Sequence, residues 1–275
     1  MSIVLGDREG RVQLTFPAFG GGRPGSGAVQ LRAFDEILVG PGQPGQLTGK
    51  TRRGELEGLW LDNQVVRPAG TNGLRIVERS SSNEWDYASV DLTAEYGAGL
   101  KQFKRHLLYV QPDLFVICDE VSPAQPAAID IGLWFPRTLQ FDSARDEWRV
   151  QLAKAGLTAR AFGSPRAAWR SWAPSDAADA DAVKVAGLRC LRAGVTNKIA
   201  ELLHLTVLVP HEKDSQRSLA FKLLESETAI GLRVHRDGLP TLIAFRKNQT
   251  ATEANLTGLQ FTGPVAVDVF RPRRK

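Results

Sequence analysis

The chain has 275 residues, 43% of them hydrophobic, and its 35 basic against 30 acidic residues give a formal charge of +5. No apolar run approaches the roughly 20 residues that a spanning helix requires. Residues 1–10 lack the basic start and apolar segment of a signal peptide, so a cytoplasmic location is the default expectation. The basic excess is mild, falls partly in the tail 271–275, and comes with no nucleic-acid motif.

The first periodic segment is R-V-Q-L-T-F-P-A (11–18), where Val12, Leu14 and Phe16 alternate with polar neighbours. A period of two predicts a strand with one buried face. The glycine-rich 19–27 must be a loop. A phosphate cradle would need a Lys-Ser/Thr pair and a following helix, and the sequence has neither. Residues 28–39 read as strand, turn at Asp35-Glu36, and strand, closed by Gly40-Pro41-Gly42. Short alternating pieces fill 51–66, a turn cluster spans 68–73, and 74–79 is another strand.

Segments 103–110 and 114–121 are two nearly continuous apolar strands joined by Gln111-Pro112-Asp113. Pro followed by Asp is a turn signal, and the unbroken apolar character predicts a central hairpin covered on both faces. Cys118 lies in this run and is expected to be a buried thiol. With Cys190 far away in sequence, neither a disulfide framework nor a Cys-x-x-Cys metal site is indicated. Strict alternation returns in 128–135, and 138–141, 148–152 and 157–162 follow as strands. Residues 163–187 read as a long excursion loop anchored by Trp169 and Trp172. Strands resume at 200–210, 218–224, 229–235, 240–246, 256–261 and 265–270, with the hairpin pair Asp237-Gly238 between two of them. Roughly 15 short strands separated by turn chemistry predict an all-β fold, a large antiparallel β-sandwich forming a single domain over 1–275.

The segment W-D-Y-A-S-V-D-L-T-A-E-Y-G (85–97) with F-K-R-H-L-L-Y-V-Q-P-D-L-F-V-I-C-D-E-V (103–121) resembles the C-terminal β-sandwich of heparinase II/III-like polysaccharide lyases. Asp86, Tyr87, Asp91, Thr93, Tyr96, Arg105, Pro112, Asp113 and Asp119 occupy the places of that family's pattern. The resemblance implies descent from the sandwich alone, without the helical toroid that precedes it in the family. It also implies β-elimination at an acidic sugar, which needs a base, an acid and a group to neutralise the uronate.

The family's sandwich contributes histidine and aspartate from three loops. Laid on this chain, those loops fall at 24–29, 39–42 and 62–65. No histidine occurs in the first, Gly40 stands for the aspartate in the second, and Asp62 stands for the histidine in the third. The expectation is therefore no catalytic residue, no metal and no cofactor, because histidine is the usual borrowed ligand and acid/base. His106, His204, His211 and His235 are scattered and read as structural or surface residues; Tyr87, Tyr96 and Tyr109 could in principle supply a base, with Tyr96, beside Gly97, read as a packing residue. Arg52, Arg53, Trp60, Asp62 and Asn63 form the candidate ligand-binding set.

Three readings remain at this point. The chain is a non-catalytic sandwich that binds polysaccharide or serves in assembly; or a lyase, or the sandwich part of one completed by a helical domain or partner chain; or a protein–protein module. The partners expected are acidic polysaccharide or that helical domain, with no nucleic acid and no membrane span.

Overall fold

A computed structural model describes residues 2–17, 29–40, 58–66, 75–172, 188–215, 218–247 and 252–270. These residues form 23 strands, one helical turn at Thr93–Tyr96 and a 3-10 turn at Gly97–Gly99. The all-β expectation holds, but roughly 15 strands is an undercount. The surplus includes Ser2–Gly6, and the stretch 256–261 is a hairpin of Ala254–Leu256 and Leu259–Phe261 rather than one strand. Leu188–Ile199, a strand of 12 residues, was also not anticipated. Within the expected excursion loop, Ala168–Trp172 is a strand, while 173–187 lie outside the described residues.

The described residues fall into two compact units, Met1–Lys213 and Asp214–Lys275. The larger contains an eight-stranded antiparallel sheet. Its order is Gln140–Asp142, Glu147–Gln151, Ala155–Ser164, Leu202–Glu212, Leu114–Pro123, Leu100–Val110, Trp85–Asp91 and Arg75–Ser81. A five-stranded sheet runs Ala168–Trp172, Leu188–Ile199, Ala127–Pro136, Leu59–Leu61 and Gln64–Val65. A four-stranded sheet holds Ser2–Gly6, Val12–Pro17, Gln30–Ala33 and Glu36–Val39.

One apolar cluster joins these three sheets as a sandwich. Phe16, Leu31 and Leu38 enter it from the four-stranded sheet, Leu107, Phe115 and Leu208 from the eight-stranded, and Ile131, Phe135 and Leu191 from the five-stranded. Alternation explains the choice, since successive side chains point to opposite faces. The predicted central hairpin is Leu100–Val110 with Leu114–Pro123, in the middle of the eight-stranded sheet, and almost every residue in it is buried.

The smaller unit is a four-stranded sheet, Leu219–Glu225, Ala229–Arg236, Leu239–Arg246 and Val265–Val269, with the hairpin Ala254–Phe261. Its core packs Leu242 and Ala244 against Leu256, with Leu224 and Phe261 at the margin. Asp237 and Gly238 turn with φ of 50° and 84°, the positive values that the Asp-Gly pair predicts.

A polar clamp fixes the four-stranded sheet to the eight-stranded one. The Glu36 carboxylate accepts hydrogen bonds from the backbone N–H groups of Ala153 (3.2 Å), Lys154 (2.9 Å) and Ala155 (2.8 Å). Hydrogen bonds to an ionised acceptor are the stronger kind, though these are partly open to water. Glu36→Ala should cost about 1–2 kcal/mol, read from the urea midpoint. The amides of 153–155 should exchange faster, with those of the central hairpin unchanged.

Candidate functional site

Of the candidate ligand-binding residues, Arg52 and Arg53 lie outside the described residues, as do 24–28 and 41–42 of the implied family loops. The other three, Trp60, Asp62 and Asn63, sit together on the hairpin Leu59–Leu61/Gln64–Val65 at the edge of the five-stranded sheet. Asp62 and Asn63 make its two-residue turn with φ of 49° and 64°. Asp and Asn tolerate that left-handed region better than other non-glycine residues. The turn is anchored on both sides of the backbone at Ala128. Asp62 N donates to Ala128 O (2.9 Å), and Ala128 N donates to Asp62 Oδ1 (3.0 Å). Lys198 Nζ lies 3.7 Å from Asp62 Oδ2, and both are exposed.

Register places Asp130 opposite Trp60 on one side and Gly194 on the other, with Gly132 opposite Arg192. These residues alternate with the core-facing Ile129, Ile131, Leu191 and Val195, so they occupy the outer face of the sheet. Trp60 lies across Gly132, where an added Cβ would come within 2.5 Å of the indole. Arg192 covers the indole with its guanidinium carbon 4.7 Å from the ring. The same guanidinium pairs with Asp130, and its Nη2 donates to Asn63 Oδ1 at 3.2 Å. Its Nε is enclosed and has no hydrogen-bond acceptor.

Trp60 is therefore buried, with 1% of its surface exposed, and serves as the bed for Arg192 rather than as an open platform for a sugar ring. Asp62, Asn63 and Lys198 form the accessible rim, and Arg192 with Asp130 forms the support beneath. Sequence reasoning missed Arg192, Asp130 and Lys198. Asp130 carried the one usable signal, an acidic residue inside a strictly alternating apolar strand.

Most of the residues that would have to supply acid or base elsewhere are enclosed; the exceptions are His211, half-buried, and His235, exposed on Ala229–Arg236. The chain has three tyrosines. All are buried: Tyr87 and Tyr109 in the eight-stranded sheet and Tyr96 against Phe103. Tyr109 donates to Pro112 O at 2.8 Å. Tyr87 Oη is 2.6 Å from His106 Nδ1, and His106 Nε2 is 2.9 Å from Glu120 Oε1. Burial pushes the Tyr87 hydroxyl well up, so it stays protonated and donates to Nδ1. That leaves His106 Nε2–H to donate to the Glu120 carboxylate, whose other oxygen accepts from Gln102 Nε2 at 2.7 Å.

On the opposite, core-facing side of the same strands, Asp119 stands between Arg105 and His204 in register. Arg105 and Asp119 pair through two bonds of 2.6 and 3.1 Å. Burial works against the Arg105 charge, but Asp119 outweighs it and the guanidinium pKa is raised. Both ring nitrogens of His204 are enclosed without a hydrogen-bond partner. Burial lowers its pKa to about 4, with Asp119 partly opposing and Arg105 adding to the shift. Burial likewise pushes both thiols, Cys118 and Cys190, upward, so neither is a thiolate. His211 Nδ1 donates to the Glu212 carbonyl at 2.9 Å, and its ring covers Gly156.

The His204 shift has a definite sign in stability. The unfolded chain takes up a proton below the ordinary value of 6.5, and the folded one only near 4. Stability should be unaffected above pH 6.5 and fall by about 3 kcal/mol between there and pH 4. Urea melts across that range should show the loss in the unchanged chain and a correspondingly flatter limb in His204→Phe. Parallel limbs would place the acid sensitivity elsewhere.

No family model matches the chain, and no curated protein sequence matches it. Solved structures do. A heparinase III superposes with a TM-score of 0.62 at 14% identity, covering 86% of this chain and 39% of its own. The heparan sulfate lyase HepC from Pedobacter heparinus gives 0.61 at 12% identity, covering 85% and 39%. Another heparinase III gives 0.59 at 13%, covering 86% and 39%. The chain thus spans about two-fifths of the length of these proteins, its described residues are mostly strand, and it has the fold of their β-sandwich portion.

Proposed function

We propose that this chain is a polysaccharide-binding β-sandwich of heparinase type that does not itself carry out β-elimination. The enclosure of the three tyrosines, His106 and His204 carries this reading; of the other histidines, His211 is half-buried and His235 is exposed on Ala229–Arg236 in the smaller unit. Elimination needs a proton acceptor in contact with the sugar. All three tyrosines, His106 and His204 are buried, and those whose bonds are described above are engaged within the sheet. The position implied for the family's histidine, Asp62, is occupied by a carboxylate that anchors a turn and faces Lys198. Binding falls to the rim of that hairpin. Asn63 and Lys198 supply a donor amide and a cation, and Arg192 behind them is held flat by Trp60 and Asp130. Arg52 and Arg53 belong to the same proposed set.

A second reading is favoured by the coverage of the solved lyases. A chain matching 39% of their length would be the sandwich part of a lyase whose chemistry is completed by a helical domain or partner chain. The two readings separate in one assay. Heparin, heparan sulfate, hyaluronan and alginate are each incubated with the chain, and unsaturated product is followed by ultraviolet absorbance. In parallel, binding is measured on an array of the same glycans. Binding without product is expected, and Lys198→Gln should weaken it severalfold at low salt and less at high salt. Product formation by the chain alone would overturn the non-catalytic reading. Neither binding nor product would leave a protein–protein module.

A further inference from the structure

The free edge of the eight-stranded sheet carries an aromatic pair that the hairpin site does not use. Phe141 faces Trp148 across the pairing of Gln140–Asp142 with Glu147–Gln151. Their ring centroids are 4.9 Å apart at 41°. Trp148 is followed in register by Ala159 and Leu208, which belong to the inner core, so the pair continues the inner face outward. At the edge no described residue covers that face fully, and Phe141 is 47% exposed.

A single exposed phenylalanine is ordinary. Two neighbours make this one different. Arg189 reaches the same place from the five-stranded sheet, donating from Nη1 to Leu139 O at 3.4 Å. It is exposed and has no carboxylate partner among the described residues. The acidic groups of the adjoining hairpin are already matched. Asp142 and Glu147 face Arg149 at 3.4 and 2.6 Å, and Asp146 faces Arg160 at 3.7 Å. Among the described residues, the charge left without an opposite partner here is the Arg189 cation. Beneath Phe141, the Trp148 indole N–H is enclosed with no acceptor. A buried donor in that condition is costly and invites an acceptor from a ligand.

We propose that Phe141, Trp148 and Arg189 form a second saccharide subsite, taking a sugar ring that bears an anionic substituent. An aromatic face stacks on the apolar C–H face of a sugar ring. A planar guanidinium receives a carboxylate or sulfate through paired N–H donors. The Trp148 N–H is the donor for a ring hydroxyl when Phe141, on an edge strand, rotates outward. This rests on the polysaccharide-binding reading and adds a contact on strands separate from the hairpin of Trp60 and Asn63.

The test uses the whole chain and a size-defined heparin hexasaccharide, with a neutral dextran oligosaccharide of similar length as control. Phe141→Ala should weaken hexasaccharide binding about tenfold, the effect of losing one stacked ring. Arg189→Gln should weaken it comparably and flatten its salt dependence. Both side chains are exposed, so both variants should keep the unchanged thermal midpoint. Hexasaccharide should also quench emission in the unchanged chain and less so in Trp148→Phe. If Phe141→Ala and Arg189→Gln bind like the unchanged chain while Lys198→Gln is weakened, the subsite is wrong and the general reading stands. If the unchanged chain binds no hexasaccharide, the general reading fails and takes the subsite with it. Equal affinity for dextran would overturn the assignment of Arg189 to an anionic group.

Discussion

A polar side chain on a strand buried on both faces is costly unless it is paired, because water is not there to satisfy it. The central hairpin Leu100–Val110/Leu114–Pro123 lies under that constraint, and much of the larger unit is arranged around how it is met. The core side takes Arg105 and Asp119 as one hydrogen-bonded pair. The other side takes His106 and Glu120, closed at one end by Tyr87 and at the other by Gln102. Register sets both sets, since Arg105 faces Asp119 and Lys104 faces Glu120 across the same hairpin. A slip by one residue would exchange the two faces and separate all of these partners.

The same constraint decides where chemistry can sit. Histidine and tyrosine are the residues sequence reasoning would offer as acid and base, and here the three tyrosines, His106 and His204 serve the sheet. His106 holds a tautomer fixed by its neighbours, and His204 sits neutral beside an ion pair. The two sets of groups proposed for binding lie on the margins: the two-residue turn at Asp62 and Asn63, and the outermost strand at Phe141. The first margin is stiffened from beneath by a buried Arg192–Asp130 pair lying on Trp60, so it presents its rim in one geometry. Breaking such a pair leaves an uncompensated buried charge, which ties the shape of the turn to the integrity of the sheet face below it.

The fold was legible where alternation and turn chemistry were strong. Val12, Leu14 and Phe16, the run 128–135 and the Asp237-Gly238 turn all read correctly. Leu188–Ile199 did not, although it is among the longest strands. Its inner positions Leu191, Ala193 and Val195 share their parity with Arg189 and Asn197, and the other parity carries Leu188, Cys190 and Gly194, so the apolar–polar alternation is too broken to show a period of two. The site was half legible for the same reason. Trp60, Asp62 and Asn63 are adjacent in sequence and were found together. Arg192 and Asp130 come from that unrecognised strand and its partner, and only register brings them to Trp60. Trp60 itself was singled out for an open aromatic face, yet Gly132 below and Arg192 above enclose it.

The residues that carry the family resemblance turn out to be residues that build the sheet. Asp91 Oδ1 accepts from Thr93 N at 2.9 Å, and Thr93 Oγ1 accepts from Phe103 N at 2.9 Å, so the two start the helical turn and tie it to the next strand. Tyr96 packs on Phe103, Tyr87 closes the His106 network, Pro112 O receives Tyr109, and Arg105 and Asp119 are the core ion pair. Each of these contacts is needed by any chain that buries this hairpin on both faces, whether or not it performs a reaction. A motif of this kind reports architecture. It would persist in a sandwich that had lost its reactive loops, because replacing one member leaves its partner buried and unsatisfied, whereas replacing an exposed loop histidine costs the fold almost nothing. Resemblance concentrated at 85–121, with Gly40 and Asp62 at the loop positions, therefore speaks for the fold and leaves activity to be read from the loops.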